Sequence, residues 1–337
     1  MEATRARPIR RLDPDTVSRI AAGEVVERPL SALKEVVENA LDAGARRIEV
    51  RVEGGLDRSF SVADDGAGIP ADEIDLALER HATSKLVMSE DLERIATLGF
   101  RGEALPSIAA VSRLRLTSRT PYAEGAVRVE VEGGAVTQRS DVARAPGTTV
   151  EVRDLYFNTP ARRKFLGTPA GEMRAALRML EAYALAFPEV AFRLVVDGRE
   201  RFECGVAGGL RERVAGLWGS RLAGQLLEAA GEREGLRLEA LLGLPEQARA
   251  NRDGQVILIN GRWVQSPLIA QALRQAYGNL LPAGRHPMAV LRLTAPPARA
   301  RARRDAAAAR GRGPSGRPAP RARGPPSAAR GRRPAPR

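Results

Sequence analysis

The sequence has few of the residues that form covalent cross-links or soft-metal sites. Its 337 residues include one cysteine, Cys204, and two histidines, His81 and His286. A single cysteine excludes an intramolecular disulfide, and so few cysteines and histidines exclude a zinc cluster. Any metal chemistry must therefore use oxygen ligands, which favours magnesium.

The sequence also lacks long apolar runs. No stretch approaches the roughly 20 apolar residues that a bilayer span needs. Residues 5–11 near the N-terminus are rich in arginine and lack the apolar core of a signal peptide. These features predict a cytoplasmic protein with no membrane partner.

Positive charge is concentrated at one end of the chain. Residues 295–337 carry +12 of the formal net charge of +13, so residues 1–294 are nearly neutral. From Pro296 onward the chain has no lysine and no large aliphatic residue, so we expect this Arg/Ala/Pro-rich tail to be disordered. An arginine-rich tail can bind nucleic acid nonspecifically. For the folded part, however, any DNA contact must come from local basic patches.

Apolar spacing predicts alternating helices and strands in the N-terminal part. A helix is expected from Pro29 to Ala43, because proline suits a first helical turn and Gly44 follows the end. Further helices are predicted at residues 16–26, 71–80 and 171–186, and strands at residues 47–53, 59–64, 113–117, 126–131 and 148–153. This pattern predicts an α+β fold, a two-layer α/β sandwich with much antiparallel strand, over residues 1–209.

A second α/β domain is predicted over residues 210–294. Its clearest elements are a strand at residues 255–259, an Asn-Gly turn at residues 260–261 and a strand at residues 262–265. Ser266 is then expected to cap a helix ending at Tyr277, with a buried stripe of Ile269, Leu273 and Ala276. A basic groove for DNA is one interpretation of the arginines here, although scattered surface arginines are simpler: Arg249, Arg252, Arg262 and Arg274.

One face of the helix predicted at residues 29–43 carries polar side chains at helical spacing. Glu35, Asn39 and Asp42 are four and three residues apart, so their side chains stack on one side of the helix. The Asn39 carboxamide is a good Mg²⁺ ligand, and Glu35 one turn away can activate a water that attacks a phosphate. Asp42 is interpreted as a helix-end residue behind that site. Taken alone, such a stripe is most often a solvated helix face.

Later segments favour a binding site over a solvated face. Asp64 closes a strand and enters a turn with Gly66 and Gly68, where a buried carboxylate can accept a hydrogen bond from adenine; a plain Asp-Gly turn is the alternative. Residues 99–105 offer two glycines and successive backbone N–H groups of the kind that bind phosphate, and the segment His-Ala-Thr-Ser-Lys at residues 81–85 precedes them. Only three of the 54 basic residues are lysines. Lys34 adjoins Glu35, Lys85 ends the segment at residues 81–85, and Lys164 lies in a polar and basic segment at residues 158–165.

Together these segments resemble the N-terminal ATPase region of the MutL family of DNA mismatch-repair proteins. The resemblance covers about residues 9–293 and is carried by residues 20–29, 34–44, 81–85, 98–105 and 154–165. The family shares its ATPase class with gyrase B, a heat-shock chaperone and the histidine kinases. The resemblance implies that residues 210–294 form a module similar to ribosomal protein S5.

The resemblance also implies roles for individual residues. Glu35 would be the general base, Asn39 the magnesium ligand and Asp64 the residue that recognises adenine. Thr148 would line the base pocket, with Thr149 as the alternative. The implied ATP-binding set is Asn39, Asp42, Asp64, Gly66, Gly68, Thr83, Ser84, Lys85, Gly99, Phe100, Arg101, Gly102, Glu103, Ala104, Leu105 and Thr148. Candidate DNA contacts are Arg162, Arg163, Arg252, Arg262 and Arg274.

A slow Mg²⁺-dependent ATPase of DNA mismatch repair is the function that the resemblance implies. ATP binding would order a lid and bring two N-terminal regions together as a homodimer, with DNA and the mismatch-recognition protein MutS as partners. The alternative is an ATP- or DNA-binding module without useful turnover. A histidine kinase or topoisomerase subunit is disfavoured, because no phosphoacceptor helix or DNA-cleaving tyrosine region fits the remaining chain.

The resemblance ends just after Leu293. Family members continue into a segment whose lysine reaches the γ-phosphate, whereas here the Arg/Ala/Pro-rich tail begins. Such a change is what a frameshift near codon 295 would produce, and the missing motif in another reading frame would support that hypothesis. We expect this chain to lack that lysine, the C-terminal dimerisation region and any endonuclease site.

Overall fold

The computed structural model describes residues 11, 13, 21–23, 25–83, 98 and 102–296. Its α-helices are α1 (Pro29–Asp42), α2 (Ala104–Ala110), α3 (Pro160–Arg163), α4 (Pro169–Ala186), α5 (Leu210–Trp218), α6 (Ser220–Gln225) and α7 (Pro267–Tyr277). Its first eight strands are β1 (Arg47–Glu53), β2 (Ser59–Asp64), β3 (Arg113–Arg119), β4 (Ala126–Glu132), β5 (Ala135–Val142), β6 (Gly147–Arg153), β7 (Ala191–Val196) and β8 (Arg199–Cys204). The remaining strands are β9 (Leu227–Arg233), β10 (Leu236–Leu242), β11 (Gln255–Ile259), β12 (Arg262–Trp263) and β13 (Ala289–Thr294).

Strands β1 to β8 form one sheet in the order β5-β4-β3-β6-β2-β1-β7-β8. Neighbouring strands are antiparallel except for β1 and β7, which are parallel. Burial alternates along the central strands: in β1, Ile48, Val50 and Val52 are buried while Arg47 and Arg51 are exposed. The sheet therefore packs helices against one face and presents a polar face on the other, which makes a two-layer sandwich.

Helix α1 lies in the helical layer of this sandwich. Proline occupies its first turn, and its apolar residues Leu33, Val36, Val37 and Ala40 are buried in the main core. The helix packs against β2, α2 and α4. Burial of this stripe fixes the rotation of α1, so the side chains on its other side face away from the core.

The second sheet has the order β12-β11-β13-β10-β9 and is covered on both faces. Strands β11 and β13 are parallel, and the other neighbours are antiparallel. Its Val256, Leu258 and Val290 pack in one core with residues of α4, α5 and α6. On the opposite face, Ile257 and Leu291 share a separate core with α7. Alternate residues of one strand thus serve two cores.

Helix α4 belongs to both halves of the fold. Its Met179, Leu180 and Tyr183 are buried in the core of the first sheet, whereas Ala182 and Leu185 are buried against the second sheet. It also packs directly on β11 and β12. A helix that is apolar on two sides can join two sheets through a shared buried element.

Many predicted elements are confirmed. The strands at residues 47–53, 59–64 and 255–259 have the predicted bounds, and those at residues 113–117, 126–131 and 148–153 are one or two residues longer. The predicted helices at residues 29–43 and 171–186 are α1 and α4, and Ser266 caps α7 by accepting a hydrogen bond from the Ile269 N–H group at 3.3 Å. The α+β class is confirmed as well.

The predicted helix at residues 71–80 is wrong. These residues form turns and a short 3-10 helix at Leu76–Leu78, and Ile74 is the residue buried there. Because Leu76 is exposed, no apolar stripe is available to stabilise a helix. The Arg139 guanidinium donates a 2.7 Å hydrogen bond to the Ala71 carbonyl and pairs with Asp75, which takes up a carbonyl that a helix would have used.

Two details of the second sheet also differ from the prediction. Strand β12 ends at Trp263 rather than at residue 265. Ala276 is exposed, whereas Ala270 and Leu273 are buried and Tyr277 is half-buried. The Tyr277 hydroxyl donates a 2.6 Å hydrogen bond to the Gly243 carbonyl, which fixes the rotation of α7 and leaves Ala276 facing solvent.

Some predictions lie wholly or mainly outside the described residues. Of the helix predicted at residues 16–26, residues 21–23, 25 and 26 are described, and all of these except Val26 are helical. The tail from residue 297 onward, with the disorder and frameshift hypotheses attached to it, is not described. Over the described ranges, no helix combines the length and apolarity that crossing a membrane would require.

A buried arginine fastens α5 to the chain that follows α4. Arg213 is 2% exposed, and its Nη2 donates hydrogen bonds of 2.5 and 2.7 Å to the carbonyls of Pro188 and Val190. We expect Arg213→Met to lower the free energy of unfolding by about 2–4 kcal/mol, because two buried carbonyls lose their donor. Urea denaturation would measure this loss. The exposed Arg221 supplies the control, and an equal effect of Arg221→Met would contradict the explanation.

Candidate active site

Glu35 and Asn39 lie on the face of α1 that is turned away from the core. Both are half-buried, one helical turn apart, and the Glu35 side chain is 32% exposed. Lys34 precedes Glu35, and its Nζ lies 3.9 Å from the Glu35 Oε1 atom. A carboxylate and a carboxamide are thus presented side by side on a rigid element, as the helical spacing predicted.

Asp42 lies at the C-terminal end of the same helix. Its Oδ1 accepts a 2.7 Å hydrogen bond from the Leu98 backbone N–H group. Leu98 directly precedes the predicted phosphate-binding segment at residues 99–105. Asp42 therefore anchors the approach to that segment, in keeping with its interpretation as a helix-end residue.

Asp64 ends β2 and turns its carboxylate toward β6. Its Oδ1 accepts hydrogen bonds from the N–H groups of Gly66 at 2.9 Å and Thr148 at 3.2 Å. Burial raises the pKa of Asp64, against the lowering effect of these two hydrogen bonds and of the nearby Arg144 charge. An anionic Asp64 therefore destabilises the ligand-free protein, which is typical of a group retained for function.

Two glycines allow the backbone to approach Asp64 closely. Gly68 has a φ of +72°, and a Cβ there would lie 2.2 Å from the Arg119 carbonyl oxygen. Gly147 has a φ of +120°, and a Cβ there would lie 2.1 Å from the Asp64 carbonyl oxygen. A side chain at Gly147 would push β6 away from β2, and one at Gly68 would push the turn after β2 away from the end of β3.

Residues that the sequence analysis did not single out complete this turn. The Arg144 guanidinium donates 3.0 Å hydrogen bonds to the Asp64 carbonyl and to the Thr149 hydroxyl. The Thr148 hydroxyl instead lies 2.9 Å from the Ser118 hydroxyl, and its N–H group faces Asp64. Thr148, and not Thr149, therefore donates its backbone N–H group to the Asp64 carboxylate. An open cavity of about 740 Å³ adjoins the turn through Arg119 and Arg144.

The predicted phosphate-binding segments are described only at their ends. Gly102 passes so close to Ala82 that a Cβ would lie 2.4 Å from the Ala82 carbonyl oxygen. His81 Nδ1 lies 3.4 Å from Glu103 Oε1, and α2 begins at the next residue, Ala104, followed by Leu105. The described residues on either side of the gap, Ala82 and Gly102, therefore lie side by side. The other predicted members lie outside the described residues: Ser84, Lys85, Gly99, Phe100 and Arg101.

The candidate DNA-contacting arginines are distributed over both halves of the fold. Arg162 in α3 donates hydrogen bonds to the Gly23 carbonyl and, at 2.9 Å, to the Val26 carbonyl, so its guanidinium has a structural partner. Arg163 is exposed. In the second half of the fold, Arg252 and Arg274 are exposed and Arg262 is half-buried.

Comparisons with known proteins match both halves of the fold. The family model described as "Histidine kinase-, DNA gyrase B-, and HSP90-like ATPase" matches residues 27–156. The model described as "DNA mismatch repair protein, C-terminal domain" matches residues 214–300.

Individual relatives of known identity are DNA mismatch repair proteins named MutL. The chain is 53% identical over 292 residues to the DNA mismatch repair protein MutL of Acidiphilium cryptum, which covers 86% of this chain and 49% of that protein. It is 46% identical over 286 residues to MutL of Pelotomaculum thermopropionicum, covering 85% and 47%. The chain thus spans about half the length of these relatives. A solved structure, the Aquifex aeolicus MutL ATPase domain complexed with ADP, is 31% identical with a TM-score of 0.64, covering 81% of this chain and 94% of that one.

Proposed function

Because this chain belongs to the MutL family of DNA mismatch repair proteins, we propose that residues 1–209 form a domain that binds and slowly hydrolyses MgATP. The observation that carries the proposal is the half-buried Asp64 carboxylate, held on Oδ1 by Gly66 and Thr148 beside two glycines that admit no side chain. The amine of adenine is a suitable donor to the other oxygen, Oδ2. The ADP complex of the Aquifex aeolicus relative supports nucleotide binding by a domain of this fold.

Glu35 is proposed as the general base. It lies half-exposed on α1, where its carboxylate can accept a proton from a water that attacks the γ-phosphate. The Lys34 ammonium lies 3.9 Å from its Oε1 atom. We assign the residues of this site to nucleotide chemistry alone, and no endonuclease step to any of them.

The Asn39 carboxamide fits a hard divalent cation, because an amide oxygen and phosphate oxygens are ligands that Mg²⁺ accepts together with water. When bound, Mg²⁺ would neutralise charge on the phosphates. Around it, the described residues near Thr83 and from Gly102 to Leu105 offer backbone N–H groups to the phosphates. Ser84, Lys85, Gly99, Phe100 and Arg101 are proposed for the same role.

The second domain, proposed over residues 210–294, is assigned to DNA contact and to transmission of the nucleotide state. Arg252 and Arg274 in this domain, and Arg163 on α3 of the first, are exposed and can contact phosphates of DNA. We further propose that ATP binding favours a homodimer of the N-terminal regions and that MutS is the partner that responds to it. A protein acting on bacterial DNA would do so in the cytoplasm.

Steady-state hydrolysis tests the proposal. With Mg²⁺ present, the purified chain is expected to release phosphate from ATP slowly, and EDTA should abolish this release, because an unshielded triphosphate is poorly held and poorly activated. ADP with Mg²⁺ should raise the thermal unfolding midpoint in parallel. An ADP-induced stabilisation without any hydrolysis would instead support the alternative, a nucleotide-binding module without turnover. Absence of both responses would contradict the proposed function.

A further inference from the structure

A carboxylate is buried directly behind the proposed general base. Glu38 lies three residues after Glu35 on α1 and is 1% exposed. Its Oε1 accepts a 2.5 Å hydrogen bond from the Tyr183 hydroxyl and lies 2.9 Å from Lys34 Nζ. A buried carboxylate is costly unless such partners compensate it, so Glu38 depends on both contacts in this position.

Lys34 connects this buried carboxylate to the site. Its Nζ lies 2.9 Å from Glu38 Oε1 and 3.9 Å from Glu35 Oε1. One ammonium group is therefore shared by a buried carboxylate and by the proposed base. Any change that alters how strongly Glu38 attracts Lys34 must change the field at Glu35.

Tyr183 brings the second sheet into the same arrangement. It lies on α4, 145 residues from Glu38 along the chain, and α4 packs on strand β12, which carries Arg262. The turn before Arg262 is tightly seated, since a Cβ at Gly261 would lie 2.9 Å from the ring of Phe187 at the end of α4. A shift of β12 relative to α4 would therefore move Arg262 relative to Tyr183.

The electrostatics of Tyr183 reflect both halves of the fold. Burial raises the pKa of Tyr183 well above its ordinary value, and the charge of Glu38, their hydrogen bond and the charge of Glu35 raise it further. The positive charge of Arg262 acts in the opposite direction. The hydroxyl thus remains a donor to Glu38 at neutral pH, within the field of Arg262.

We propose that Tyr183 and Arg262 are positioning residues for ATP hydrolysis, which act on Glu35 through Glu38 and Lys34 and so make the activity of the base depend on how the second sheet sits against α4. The proposal rests on Glu35 being the base, as inferred above. It provides a physical route by which an event at the second domain, such as DNA contact, alters hydrolysis without touching the nucleotide.

Single-atom and single-charge variants test this route in the whole chain. We expect Tyr183→Phe and Arg262→Gln each to lower kcat about tenfold, with the KM for ATP within about twofold of the unmodified value. Tyr183→Phe removes the donor to Glu38, and Arg262→Gln makes the Tyr183 hydroxyl a weaker donor because a positive charge is lost. In both variants Glu38 should attract Lys34 more strongly, so Lys34 stabilises the Glu35 anion less. The acid limb of the kcat–pH profile should therefore move to higher pH. Arg262→Lys keeps the charge and should restore most of the activity.

Matched controls separate positioning from general stability. Tyr156 is also a fully buried tyrosine, and its hydroxyl donates a 3.0 Å hydrogen bond to the Val26 carbonyl, so Tyr156→Phe removes an equivalent group elsewhere in the core. Arg237 on β10 is an exposed arginine of the second sheet. Tyr156→Phe and Arg237→Gln should leave the pH profile unchanged.

The double variant Tyr183→Phe/Arg262→Gln gives the sharpest reading. If both residues act through Glu38, its loss of kcat should be clearly smaller than the product of the two single losses. Independent effects, or pH profiles identical to that of the unmodified chain, would overturn the inference. A different result would contradict the proposed function: the unmodified chain does not hydrolyse ATP, or its hydrolysis does not depend on Glu35.

Discussion

Replacing Glu35 with alanine is expected to abolish ATP hydrolysis while leaving nucleotide binding intact. General-base assistance is worth about 10²- to 10⁴-fold in rate, so kcat should fall to the detection limit of an already slow enzyme. Binding should survive, because the groups proposed for adenine and phosphate contact are Asp64, Thr148 and residues 83–85 and 99–105, not Glu35. Phosphate release and ADP titration by calorimetry would measure the two properties on the same preparation.

The control for this variant is Glu53→Ala, which removes an exposed carboxylate at the end of β1. It should retain both hydrolysis and ADP binding. Glu35→Ala activity within tenfold of the unmodified chain would show that another group takes the proton. Loss of ADP binding together with hydrolysis would show that Glu35 holds the nucleotide instead of activating water.

Replacing Asp64 with asparagine is expected to weaken ADP binding by about 10- to 100-fold, because a hydrogen bond to an ionised acceptor contributes about 1.5–3 kcal/mol. The side chain keeps its shape, and one amide oxygen can still accept from Gly66 and Thr148. The amide nitrogen then takes the place of Oδ2 and opposes the amine of adenine. Calorimetric titration with ADP would measure the loss.

The same variant should be more stable than the unmodified chain in the absence of nucleotide. Burial raises the pKa of Asp64 above its ordinary value of 3.8, so the folded state binds its proton more tightly than the unfolded state does. The stability contributed by protonated Asp64 is complete below that ordinary value and is lost as the pH rises through the raised folded value. Urea denaturation should therefore show the advantage of Asp64→Asn appearing as the pH increases above about 4.

Asp65 supplies the matched control for Asp64. Its Oδ1 accepts 2.8 Å hydrogen bonds from the N–H groups of Arg46 and Arg47, so it serves the start of β1 and not the adenine turn. Asp65→Asn should leave ADP affinity unchanged and should not increase stability. Equal ADP affinity in the Asp64 and Asp65 variants would remove Asp64 from the proposed base pocket.

The strongest sequence predictions were those supported by a local pattern. Helix α1 was identified with its correct start because Pro29, the apolar stripe and Gly44 all indicate the same element. Strands β1 and β2 alternate cleanly because one face of the sheet is buried. Strand β5, by contrast, is an edge strand that is exposed almost throughout, so no alternation marks it. Residues 71–80 show the opposite case, in which helical spacing exists but burial does not.

In the candidate site, too, some residues could be predicted from local patterns and others only from packing between distant segments. Glu35, Asn39 and Asp64 could be named from spacing and turn chemistry, because each depends on residues within a few positions of it. Glu38 was grouped with neither the polar stripe nor the core, since a glutamate at a core position has no local sign of its partner. Its partner Tyr183 lies 145 residues away along the chain. Arg144, which donates a hydrogen bond to the Asp64 carbonyl, lies 80 residues from Asp64.

Local spacing was thus sufficient to define the class of fold, the polar face of α1 and the turn after β2, because helix periodicity, strand alternation and glycine conformation act over a few residues. Which polar groups are buried, which threonine faces Asp64 and how the second sheet meets α4 depended on packing between distant segments. Hydrogen bonds that compensate a buried charge require partners at defined distances, and those distances exist only once the chain has folded.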